Sequence, residues 1–119
     1  MNGRTDPERI VDMVQYSREA IATLGNTGFE EFSTNRQLQL GIFYLVAVVG
    51  EAASKCDPET LRQYPGILWH QVRGTRNHLV HDYYKVNLLT VYEIVVEHLP
   101  VLISVLQTTT PNPQGGQSL

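Results

Sequence analysis

Apolar positions recur along this chain at steps of three and four, the spacing that builds one face of an α-helix. Ile10, Met13, Val14, Ile21 and Leu24 form the first such stripe. Asp6-Pro7 marks its start, because Asp can cap a helix and Pro is tolerated in the first turn. Gly25-Asn26-Thr27-Gly28 stops it. Ser33, Thr34 or Asn35 can cap a second helix that runs to about Lys55. That helix carries apolar residues on most sides, from Leu38 and Leu40 to Val48 and Val49, as helices do in a bundle interior or an oligomer interface. Gly41 and Gly50 lower its propensity but allow close packing against a neighbour.

A short turn is predicted between Asp57-Pro58 and Tyr64-Pro65-Gly66, and a third helix over Leu68–Leu79. Asn87 can cap the last helix, with Leu88, Val91, Ile94, Val95, Leu99, Leu102 and Leu106 facing inward and a kink at Pro100. The pattern predicts an all-α fold, an antiparallel bundle of four or five helices over residues 1–107 that forms a homodimer. Residues 108–119, rich in Thr, Pro, Gly and Gln, read as a disordered tail.

At 119 residues the chain fits one domain with a core large enough to need no disulfide or metal. A lone cysteine, Cys56, fits a reducing compartment, and the N-terminus lacks the charge and apolar pattern of a signal peptide. The expected location is the cytoplasm. The apolar run from Leu38 to Gly50 is short for a bilayer, which takes ~20 residues, so no membrane association is expected.

A net charge of −3 argues against broad nucleic-acid binding, but its distribution is uneven. Residues 70–85 hold Arg73, Arg76 and Lys85 against Asp82 alone, together with His70, His78 and His81. An anion handled by this protein would be handled there; a solvated polar helix end is the competing reading. Arg followed by His five positions on occurs twice, as Arg73–His78 and Arg76–His81, and only the second is followed two places later by tyrosine, Tyr83.

The run Trp69 … Arg76-Asn77 … His81-Asp82-Tyr83, with Val86, a long final helix bearing Leu99-Pro100, and Gly50-Glu51-Ala52-Ala53 upstream, resembles the HepT branch of the HEPN proteins. Val86-Asn87 stands where that family often has Val-Asp. The resemblance implies a metal-independent endoribonuclease toxin of a type VII-like toxin–antitoxin system, acting on tRNA or mRNA without a cofactor. It implies a homodimer, with higher hetero-oligomers open, whose two motifs meet in one cleft. It also implies a minimal nucleotidyltransferase antitoxin that transfers AMP to the motif tyrosine, by position Tyr83. Arg76 and His81 would be the catalytic pair, with Asn77, Asp82 and Glu51 in support. A noncatalytic nucleotide- or RNA-binding module, or an accessory subunit of a nucleotidyltransferase, is the alternative.

The chemistry suits these residue types. Cleavage of RNA by its own 2′-hydroxyl needs a base, an acid and positive charge at the phosphorane. Histidine transfers protons near neutral pH, and the arginine fork binds phosphate in pairs of hydrogen bonds. One motif supplies one histidine, and a two-fold dimer would supply the second. Residues five apart on a continuous helix diverge by ~140°. Either the helix ends near Val80, or the long stem of Arg76 reaches across. Arg76 can also pair with Glu51, and Trp69 reads as a core or interface anchor. His78 and His81 have a spacing that could hold a metal, but few further ligands lie near them in sequence, and no metal site is expected.

Overall fold

A computed structural model describes residues 3–80 and 83–109, with backbone alone at Val80, Tyr83, Thr108 and Thr109. The described residues contain helices and no strand: α1 (Asp6–Leu24), α2 (Phe29–Thr34), α3 (Arg36–Lys55), α4 (Pro58–Leu61), α5 (Trp69–Val80), α6 (Leu88–Glu93) and α7 (Leu99–Thr109). A 3-10 turn at Tyr83–Lys85 precedes α6, and a π-helical turn at Ile94–His98 joins α6 to α7.

Thr5, not Asp6, caps α1. Its hydroxyl accepts from Glu8 N at 3.3 Å, and Glu8 Oε1 accepts from Thr5 N at 2.9 Å, a reciprocal capping box. Asp6 is thereby released for a longer-range task. Its carboxylate accepts from Asp57 N at 2.9 Å and from the Thr60 hydroxyl at 2.6 Å, tying the start of α1 to α4. The Thr60 hydroxyl, then the Asp57 N–H, hold the Asp6 carboxyl below the usual carboxylate range. Gly25 ends α1 at φ 55, a left-handed backbone that a side chain would strain.

The short α2 is absent from the sequence-based expectation. Ser33 and Thr34 do not cap α3: their hydroxyls donate back to the carbonyls of Glu30, at 2.7 Å, and Glu31, at 3.2 Å, inside α2. Asn35 is the cap, accepting from Leu38 N at 3.0 Å. α2 is held by the fully buried Phe32, whose carbonyl accepts from buried Gln39 at 2.9 Å.

α1 packs against α3 and α7, and α3 packs against α5. Met13, Val49, Ala53, Leu102 and Leu106 share one part of the core, and Ala20, Phe32, Ile42, Val46, Val95 and Leu99 the other. Trp69 belongs to the first part, its indole N–H donating to the Leu61 carbonyl at 2.9 Å. The residues expected to face inward on the last helix do so at Val91, Val95, Leu99, Leu102 and Leu106, while Leu88 and Ile94 are half-buried.

Pro100 does not break the last helix. It has no N–H to give the Val96 carbonyl, and the preceding turn widens, with Leu99 N bonding Ile94 O instead. Helix continues to Thr109, inside the stretch read as a tail; residues 110–119 lie outside the described residues. By length and composition α3 and Leu88–Gln107 could each cross a bilayer, a test that the core helices of soluble proteins also pass. Here each gives one side to the core.

Candidate functional site

α5 rests chiefly on α3, and residue 50 sets the distance between them. A Cβ at Gly50 would lie 2.8 Å from the Val72 carbonyl oxygen and 3.2 Å from Arg76 N. Glycine therefore lets the Arg76 backbone settle on α3 beside Glu51. Gly41, also expected to allow close packing, faces open space instead.

From that position Arg76 Nε forms an ion pair with Glu51 Oε1 at 2.5 Å. Lys55 Nζ stands 3.7 Å from the other carboxylate oxygen. The two side chains of the Arg76–Glu51 pair remain 36% and 40% exposed, so solvent screens the attraction and its stabilising worth is small. Its effect is positional: one guanidinium edge is fixed by Glu51. The remaining N–H groups suit a phosphate.

Asn77 follows Arg76 on α5 and is exposed. α5 is described as far as Val80, so both geometries that the motif spacing left open still stand. His81 and Asp82 lie outside the described residues, and Tyr83 opens the 3-10 turn with its side chain undescribed. The structure therefore brings Arg76 and Glu51 together from the sequence-derived set, with Asn77 next to Arg76 along α5.

The face of α3 that carries Glu51 also carries Leu40 and Tyr44, which are 48% and 63% exposed. At ~100° per residue, positions 40, 44 and 51 fall within about 40° of one another. The sequence marked this helix as apolar all round without distinguishing which side would stay uncovered.

Cys56 is buried between α3 and α4, and burial first, then the nearby Asp6 charge, push its thiol up to about 11. A thiol so shifted is a poor nucleophile, in keeping with its reading as a buried packing residue.

Comparison with known proteins agrees with the resemblance carried by the motif. The family model described as "Ribonuclease HepT-like" matches residues 6–109. The chain belongs to the HepT-like ribonuclease family.

Among the relatives of this HepT-like chain, a protein of Methanocaldococcus jannaschii named as an RNase is 30% identical over 91 residues, 76% of this chain and 75% of the relative. A second RNase-named protein of the same organism is 29% identical over 91 residues, 76% of this chain and 78% of the relative. A Thermococcus cleftensis protein that carries the name ribonuclease HepT is 27% identical over 74 residues, 62% of this chain and 67% of its own length. No solved structure is a significant match to the chain. In this HepT-like fold the family match spans every described helix, from the first residue of α1 to the last of α7.

Proposed function

We propose that this chain is a metal-independent endoribonuclease toxin, with Arg76 and His81 as its catalytic pair. The observation that carries this reading is the Arg76–Glu51 contact, which holds a phosphate-binding group on α5, five positions before the motif histidine in sequence.

Arg76 binds the scissile phosphate and its developing charge. His81 takes the proton of the attacking 2′-hydroxyl. The 2′-oxygen bonds to phosphorus, the bond from phosphorus to the 5′-oxygen breaks, and a second acid protonates that oxygen. The products are a 2′,3′-cyclic phosphate and a 5′-hydroxyl. A second His81 from a two-fold related copy is the acid. The exposed Leu40 and Tyr44 support such a homodimer, since they share the face of α3 that carries Glu51. A copy docked there brings its own motif toward this one, with the helices of each protomer (residues 1–107) forming an antiparallel bundle. Asn77 and Asp82 line the shared cleft.

The setting is the cytoplasm, in a type VII-like pair with a minimal nucleotidyltransferase antitoxin. AMP transfer to Tyr83 silences the toxin by placing bulk and negative charge where RNA phosphate would bind. Support for this part is the resemblance together with the place of Tyr83, two positions after the motif histidine in sequence.

Mixed dimers test the shared site. One His81→Ala protomer in a pair should abolish nearly all cleavage, whereas half-normal activity would contradict it. Intact mass after co-expression with the antitoxin should rise by whole AMP units, and Tyr83→Phe should prevent the rise. Tight RNA binding without cleavage by the unmodified protein would favour the noncatalytic accessory-subunit reading.

A further inference from the structure

A second feature of α5 is not used by the catalytic pair. Arg76 leaves the helix toward Glu51, whereas His70, Gly74 and His78 recur at steps of four and leave it on another side. That side borders an open cleft of about 750 Å³ between α5 and the last helix. Its floor is apolar, with Val46, Val49, Leu79, Val91, Leu99 and Leu102. Its polar rim includes His70, His78 and His98, with Lys85 at one end, and no Asp or Glu among the described residues lines it.

Lys85 stands in the 3-10 turn, its Nζ 5.5 Å from the centre of the Tyr84 ring. Tyr84 is 71% exposed, so an aromatic face and a cation lie together at that end. In a chain of net charge −3, a cleft edged by Lys85 and three histidines, with no carboxylate among its described lining residues, suits an anionic ligand. An apolar floor selects for a ligand with flat apolar faces. A nucleotide joins both properties, and the volume falls within the range of small-ligand sites.

We infer that this cleft binds a nucleotide of single-stranded RNA next to the scissile bond, with its base on the apolar floor and its phosphate at Lys85 and the histidine rim. The inference rests on the ribonuclease reading, because it assigns the strand that Arg76 would cleave a second anchoring point.

Gly74 supplies the test. It lines the cleft, and a Cβ built there meets nothing within 4 Å, so a side chain can leave this position without a backbone clash and Gly74→Phe places bulk at the cleft. The probe is a short oligonucleotide with every 2′-hydroxyl methylated, which has no internal nucleophile and cannot be cut. Fluorescence anisotropy reads its Kd, and circular dichroism and thermal melting confirm folding. Gly74→Phe should weaken binding by about 5- to 100-fold, the range for loss of one stacked base. Lys85→Glu should also weaken it, with a shallower dependence on salt. Wild-type affinity in both folded variants overturns the inference and leaves the ribonuclease reading intact. Unchanged oligonucleotide affinity with lost antitoxin binding also overturns it, assigning the cleft to a protein. Conversely, weakened binding in the variants of a protein that cuts no RNA supports the nucleotide site while the ribonuclease reading fails.

Discussion

Glu51 on α3 forms an ion pair with Arg76 on α5 at 2.5 Å, and it can do so because the residue before it is glycine. One carboxylate thus fixes the direction of the one arginine assigned to the scissile phosphate. Removing that carboxylate should alter catalysis more than stability. Glu51→Ala should lower kcat/KM on RNA by about 10- to 100-fold through misplacement of the guanidinium. Its folding free energy should change by less than about 1 kcal/mol, as for other exposed pairs. Glu51→Asp should recover part of the lost activity. Full activity in a folded Glu51→Ala protein would remove the carboxylate from the mechanism.

The two glycines of α3 should behave in opposite ways. Gly50→Ala places a methyl group 2.8 Å from the Val72 carbonyl, and backbone cannot yield as a flexible side chain would. It should cost about 1–3 kcal/mol, as overpacking does. Gly41→Ala meets nothing and should stabilise by up to about 1 kcal/mol through helix propensity. Urea unfolding reads both. Equal effects at the two positions would mean that α5 does not approach α3 so closely.

Asp6 gives the fold an acid-sensitive tie. Its carboxyl is held below the ordinary value of 3.8 by the Thr60 hydroxyl, the Asp57 N–H and Arg9. A depressed folded value means that the contribution is complete above the unfolded value and is lost as pH falls through the folded one. Asp6→Ala should therefore destabilise by about 1–2 kcal/mol at pH 7. The gap between variant and wild type should narrow below about pH 4. Denaturation at pH 7 and at pH 3 measures it; a gap of the same size at both would contradict the assignment.

Local signals were readable wherever a residue acts on its near neighbours. Asn87 caps the helix expected of it, accepting from Thr90 N at 3.1 Å, and the short turn predicted to begin at Asp57-Pro58 does so, with Asp57 accepting from Glu59 N at 3.0 Å. Misreadings arose where a distant partner decides. Asp6 looks like a cap in isolation, but Thr5 caps while Asp6 serves residues 51 and 54 positions away. α2 is too short to show periodicity, and its Phe32 is helical because Gln39 and the core hold it. Pro100 signalled a kink, and regular α-helix is indeed interrupted just before it, by the π-helical turn at Ile94–His98. Within the candidate site, the pairing of Arg76 with Glu51 was legible in the sequence. The cleft of His70, His78, Lys85 and His98 was not, because it joins residues of α5 to a helix that α5 does not closely contact.

The most direct trial is cleavage of a defined RNA by the purified, unmodified protein in excess chelator, beside Arg76→Ala and His81→Ala. Wild type should release fragments ending in 2′,3′-cyclic phosphate, and each variant should be slower by about 10²–10⁴-fold while melting like the parent. Cleavage that persists in both folded variants, or that disappears from wild type when metal is removed, would contradict the Arg76–His81 mechanism.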